Sequence, residues 1–315
     1  MSLGAVDDAF AFLALAQALA TDSGPASCRS ARMTFVHGAY IHCWRHPIAA
    51  SVALLEHAFA ACSEAGDMAH AGYAAHFAWH SFEAGAPLAR VQQRARHYQL
   101  FACQQNNDVL MQLLRCYEQL TLCLQGVTGA DGSLDDAGFC ARDALAVMER
   151  ASYGAARTRY YLLRKVAAYS FGRFDEALQA GEAAPDQQFL LASVHESTHL
   201  FYYALTLAAL HAQLPRDWRG AVMRALRAKR ERLRAWAGQC AANFDDRYLL
   251  VSAEIDRLEG RDLDAMRGYD AALASAGGTF LPRAPLRCDQ PGLRARRVAG
   301  VRAVGLVRQG APPGA

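Results

Sequence analysis

Apolar residues recur every three or four positions between short turn signals along almost the whole chain, and this period is the tightest constraint on its fold. Ile48, Val52, Leu55, Phe59 and Cys62 form one such stripe. Leu110, Leu113, Leu114, Tyr117, Leu120 and Leu124 form another. The turn signals fall at Asp22-Ser23-Gly24-Pro25, Gly66-Asp67, Gly85-Ala86-Pro87, Gly129-Ala130-Asp131-Gly132, Gly181 to Pro185, Pro215 and Gly260. Long alternating runs of β-branched residues are missing, so no sheet is expected. Pro47 suits the start of a helix, and Asp217 after Pro215 suits a cap for a helix running towards Cys240. The body therefore reads as all-α, about a dozen helices whose short connections favour stacked antiparallel pairs.

Two segments repeat a spacing. Gly172 is followed by Ala177, Gly181, Ala184 and Pro185, and Gly260 by Ala265, Tyr269, Ala272 and Leu273. Small or aromatic residues thus stand five, nine and twelve positions after each glycine, as in the second half of a tetratricopeptide unit. The glycine closes the turn between helices. The alanine five residues on lets the two helices approach, and the residue nine on fills the gap to the next pair. Gly66 with Ala71, Ala75 and Ala78 makes a third copy. The pattern predicts an α-solenoid of tetratricopeptide-like helix pairs over residues 1–278, against the plainer expectation of a helical bundle.

The run from Asn243-Phe244-Asp245-Asp246-Arg247 through Gly260-Arg261-Asp262-Leu263-Asp264-Ala265-Met266 carries a wider likeness. So do Trp44-Arg45-His46-Pro47 leading to Gly66-Asp67, Gly172-Arg173-Phe174-Asp175-Glu176-Ala177-Leu178, and Phe201-Tyr202-Tyr203-Ala204-Leu205. Over roughly residues 30–276 the chain resembles the tetratricopeptide-like helical region of large bacterial signalling proteins. In those proteins a serine/threonine-kinase-like domain and an AAA/STAND-type ATPase precede this region, and a GAF domain and often a sensor histidine kinase follow it. The resemblance implies a scaffold or sensing array in a two-component or kinase signalling context. It implies that ATPase and kinase activity belong to modules outside this chain.

After Ala272-Leu273 the family continues with a further helix, whereas this chain turns at Gly277-Gly278 into a different composition. Residues 279–315 hold five of the ten prolines, and seven arginines against one acid, Asp289. The net charge of +3 therefore sits in this segment and leaves a mildly acidic body. With 31 arginines against two lysines, the segment reads as the out-of-frame or truncated end of a GC-rich gene. The competing reading is a disordered basic tail. The acidic body argues against nucleic acid as the partner.

The sharpest catalytic string is His195-Glu196-Ser197-Thr198-His199. On a helix His195 and His199 share a face, as zinc requires, and Glu196 could act as general base. A third ligand is missing: Tyr202 and Leu205 stand where a longer zinc motif needs glycine and histidine, and His211 lies about 18 Å further along a helix. The string reads instead as part of a helix with the apolar stripe Leu190, Val194, Phe201, Leu205 and Ala208 and its histidines at the margin. His195 and His199 remain the metal candidates. His42/His46 and His76/His80 share the four-residue spacing and read as histidines at the core edge. The nine cysteines show no C-x-x-C pair, and Cys62, Cys103, Cys116 and Cys123 read as buried thiols of a cytoplasmic protein. No apolar run reaches the length of a membrane span.

Residues 216–234 carry eight basic side chains, with Trp218, Val222, Leu226, Leu233 and Trp236 largely along one side. This reads as an amphipathic helix whose Arg227, Arg230 and Arg232 could touch a partner. A free-standing transcriptional regulator would need that helix to bind DNA. No phosphate-binding glycine loop with its lysine, no kinase strings and no dinucleotide fingerprint occur. The expectation is a non-catalytic protein-interaction or signal-relay segment that needs no cofactor. Its partner would be a protein or peptide, or a neighbouring ATPase or kinase module. The alternatives are a zinc-dependent hydrolase using His195 and His199, and the DNA-binding regulator.

Overall fold

A computed structural model describes residues 3–20, 28–129, 132–184 and 187–276. The segment 279–315, with the disordered or out-of-frame tail expected there, lies outside the described residues. The described chain is all-helical, and its only β-type pairing is an isolated bridge between Asp136 and Phe139. The α-helices are α1 (Leu3–Ala20), α2 (Cys28–Val36), α3 (Ile48–Glu64), α4 (Met68–His76), α5 (His80–Glu83), α6 (Leu88–Gln104), α7 (Asp108–Leu124), α8 (Ala141–Arg150), α9 (Gly154–Ser170), α10 (Phe174–Ala183), α11 (Val194–Leu210), α12 (Arg216–Gln239), α13 (Ala241–Leu258) and α14 (Asp262–Ser275). A π-helical turn (His37–Ile41) and a 3-10 turn (His42–Trp44) link α2 to α3, and a second 3-10 turn (Phe77–Trp79) links α4 to α5.

One turn geometry recurs. At Gly66, Gly172 and Gly260 the backbone takes positive φ, 74°, 76° and 76°. In each turn the amide of the next residue reaches back five positions: Asp67 to Cys62, Arg173 to Ala168, Arg261 to Asp256. This closure satisfies carbonyls at the helix end and reverses the chain within three residues. Asn106 (φ 50°) and Ser152 (φ 53°) close the α6–α7 and α8–α9 turns in the same way. Asp67 and Asn107 then cap the following helices by accepting the amides of His70 and Leu110.

Most of the packing is between sequence neighbours, most extensively α3 on α4, α6 on α7, α9 on α10, α12 on α13 and α13 on α14, while α5 also packs on α3, α7 on α9 and α11 on α13. Ala177 and Ala265 are fully buried at the pair contacts, with Tyr269 and Ala272 close behind. The tightest approach of α13 and α14 is at Gly268, where a Cβ would stand 2.9 Å from Ala253 Cβ. Ala184 ends α10 with extended backbone, so it lies at the helix exit and not within the repeat contact.

Several expectations shift by a position or a face. The buried stripe of α3 runs through Ile48, Ser51, Leu55, Ala58 and Cys62, with Val52 and Phe59 at its flank. Pro215 is the N-cap of α12, which leaves Asp217 inside the first turn. Trp218 is exposed, whereas Leu226, Leu233 and Trp236 are buried. Cys103 is exposed on the outer side of α6, while Cys43, Cys62, Cys116, Cys123 and Cys240 are buried. No described helix is long and apolar enough to cross a membrane.

The array also closes on itself. Asn243 accepts the Ile48 amide (3.0 Å) and donates to the carbonyls of Cys43 (2.6 Å) and His46 (2.8 Å). Trp44 stacks on Phe244 with ring centroids 5.4 Å apart, and its indole donates to the Ala192 carbonyl at 3.1 Å. The early turns thus seat against α11–α13, bringing polar residues from distant parts of the chain into one centre.

Candidate functional site

Two helices are surrounded on nearly every side. Fourteen of the 17 residues of α11 and twelve of the 17 of α9 are buried. A charged group on such a helix cannot reach water, so it needs a partner inside or carries a desolvation cost.

Glu83 and Arg247 meet that need for each other. Their side chains are 2% exposed and form an ion pair. Glu83 also accepts from Trp79 Nε1 and Thr198 Oγ1, both at 2.6 Å. Arg247 Nη1 donates to Ser197 Oγ at 2.6 Å. The network joins α5, α11 and α13. Beside it burial pushes the Asp246 carboxyl up to about 6, against the pull of Arg247.

Arg159 has no such partner. It is 3% exposed, and no carboxylate pairs with it among the described residues. Its guanidinium lies 5.1 Å from the centre of the Phe77 ring, its Nη1 makes one long bond to the Ala155 carbonyl (3.5 Å), and its Nε has none. Three buried histidines stand in its field. His80 and His195 flank Phe77 with centroids 5.1 and 5.7 Å away, and lie 5.7 Å from each other. His76 packs on Tyr153 at 5.6 Å. Burial, reinforced by the Arg159 charge, holds His80 down at about 3 and pushes His76 and His195 well below the ordinary imidazole range. Both ring nitrogens of His80 and Nε2 of His195 are without hydrogen-bond partners. On the outer side, His76 and Tyr153 line an open cleft of about 350 Å³ between α4, α7 and the turn before α9.

Of the two histidines in the string, His199 is half-buried at the margin of α11, as expected, whereas His195 is not. His195 lies in the core, because α11 is covered on all sides, and its Nδ1 is 3.3 Å from Ser193 Oγ. His199 Nδ1 lies 2.7 Å from Lys165 Nζ, and the same nitrogen donates to the His199 carbonyl at 3.0 Å. Burial and the nearby Lys229 push Lys165 well below the usual lysine range. Glu196 pairs with Arg232 and accepts the Ala192 amide at 3.0 Å. One histidine therefore faces an amine and the glutamate faces an arginine, a donor set opposed to a cation. No three His, Cys, Asp or Glu side chains converge to hold a metal among the described residues.

His76 and His80 are likewise deep in the core, whereas His42 and His46 stack at 4.5 Å near the surface, with His42 Nδ1 3.0 Å from Ser51 Oγ. The basic face of α12 is largely matched within the chain. Arg227 pairs with Glu259 at 2.5 Å, Arg230 with Glu231 at 2.9 Å, and Arg232 with Glu196.

Helix α1 carries an exposed apolar stripe. Phe12, Leu15 and Leu19 are 71%, 57% and 62% exposed and follow one another at helical spacing. The helix carries no charge from residue 9 to residue 20. On its other side Val6 and Leu13 are buried, so α1 is seated against the array and still presents an apolar stripe outward.

Comparison with protein-family models, with curated proteins and with solved structures returns no match.

Proposed function

We propose that the chain is a non-catalytic docking and relay array, a tetratricopeptide-like solenoid of helix pairs that binds another protein through the outer face of α1. The observation that carries this reading is the exposed stripe of Phe12, Leu15 and Leu19. The outer face of α1 is apolar, and a contiguous apolar stripe of this kind marks a contact surface. A helix laid along it would bury side chains at three- and four-residue spacing. The resemblance to the helical region of bacterial hybrid kinase and ATPase regulators supplies the context. In that context the partner is a neighbouring ATPase or kinase-like module, and docking biases that module between two states. The matched arginines of α12 take the lesser part, since each would have to leave an internal acid to reach a partner.

The test uses the purified chain and an ATPase or kinase-like module encoded beside it, with binding read by calorimetry. Wild type is expected to bind, and Leu15→Glu to lose at least tenfold in affinity with an unchanged melting temperature. Binding that is indifferent to Leu15→Glu and to Phe12→Glu overturns the reading.

A further inference from the structure

We propose that the Arg159 cluster is an anion-binding site that takes the carboxylate or phosphate group of a small ligand through the cleft lined by His76 and Tyr153. The argument starts from a charge without a counter-charge. Arg159 is buried and always protonated, and its only polar contact among the described residues is a long one to a carbonyl. A buried unpaired cation is among the costliest arrangements a fold can hold. The contrast with Arg247 is direct. That arginine, equally buried, has Glu83, Ser197 and Thr198 around it.

The groups around Arg159 suit an oxyanion. The neutral rings of His80 and His195 each carry an N–H, and three of their four ring nitrogens have no partner. Tyr153 adds a hydroxyl at the cleft wall, and burial raises its pKa, so it stays a donor. Among the described residues no acid pairs with Arg159, and the charge that acts on His76, on His80 and, ahead of its neighbouring histidines, on His195 is that of Arg159. An anionic group would give the guanidinium its counter-charge and accept from donors that otherwise have none. The cleft offers the way in. It is open to solvent, has the size of a small-molecule site, and is lined by His76 and Tyr153, both of which stand in the field of Arg159, while Arg159, His80 and His195 themselves do not line it.

The experiment is thermal unfolding of the full chain in inorganic phosphate, in acetate, and in sodium chloride at matched ionic strength. Phosphate or acetate is expected to raise the melting temperature in proportion to the logarithm of its concentration above the dissociation constant, by about 5 °C at a hundredfold excess. A response to phosphate alone assigns a phosphate-bearing ligand, and a response to acetate alone assigns a carboxylate. In Arg159→Met the response should vanish while the melting temperature in chloride does not fall, because an unpaired charge has been removed. Ala69→Trp, on the cleft wall and outside the cluster, tests the entry route: it should abolish the response with the chloride melting temperature unchanged. Absence of any response beyond chloride in wild type overturns the proposal. So does a full response in Arg159→Met or in Ala69→Trp.

Discussion

Glu83→Gln isolates the energetics of the buried centre. The substitution keeps the shape of the side chain. Its amide oxygen can still accept from Trp79 and Thr198, which lie 2.6 Å from the native carboxylate. What it removes is the negative charge facing Arg247, in a pair whose side chains are both 2% exposed. The guanidinium then faces an amide N–H₂, a donor against a donor. Stranding one member of a buried pair costs about 3–5 kcal/mol. Arg247→Met should cost a similar amount by stranding the carboxylate. The double variant Glu83→Leu/Arg247→Met strands neither charge. Ser197 and Thr198 keep their bonds to the Val194 carbonyl, so Trp79 Nε1 is the main orphan, at about 1–3 kcal/mol. The double variant should therefore be more stable than either single one. Urea unfolding at pH 7.5, followed by tryptophan fluorescence and far-ultraviolet circular dichroism, compares wild type, the two single variants and the double variant. The reasoning fails if Glu83→Gln lies within about 1 kcal/mol of wild type, or if the double variant loses the sum of the two single losses.

Stability should fall in mild acid. The folded-state pKa values of His76, His80 and His195 lie below the unfolded value, so below about pH 6.5 the unfolded chain takes up protons that the folded chain refuses. For His80, held at about 3, the loss between pH 6.5 and 5 is about 2 kcal/mol, and the other two act in the same direction. Asp246, raised to about 6, opposes them as one group against three. Urea midpoints that do not fall between pH 7 and pH 5 would contradict this. Asn243→Ala should cost about 3 kcal/mol, because it orphans the Ile48 amide and two carbonyls and unties the early turns from α13. Equilibrium unfolding measures that loss, and a cost within about 0.5 kcal/mol would deny these bonds their role.

The repeat turns at Gly66, Gly172 and Gly260 could be read because glycine is the usual residue at positive φ. The same closure at Asn106 and Ser152 carries no glycine to mark it, although asparagine also favours positive φ and Asn107 is a good cap. The stripe method assumes one buried face. It therefore put His195 and His80 at a core edge, whereas α11 is covered all round. A signal did exist in α9. Small, aromatic and aliphatic residues fall on every side of Gly154–Ser170, which marks a central helix and makes its Arg159 and Lys165 buried charges. Glu83 and Arg247 had no local signal, as they stand 164 residues apart and meet only when the array closes.

That closure bears on relay. In a stack where each pair touches only the next, a disturbance at one end decays pair by pair. Here Glu83 and the turn at Cys43–Ile48 grip α11 and α13 directly, by way of Arg247, Thr198 and Asn243. The α2–α3 turn also meets α1, where Phe10 packs on His37 and His46 and Arg45 pairs with Asp7. Under the proposed docking reading, a load on the outer face of α1 would meet first the turn held by Asn243 and then the buried polar centre. Satisfied polar networks allow few alternative packings, because each shift would strand a donor or a charge. The proposed docking reading would require such a centre to shift as a unit if it is to carry the state of one face to another.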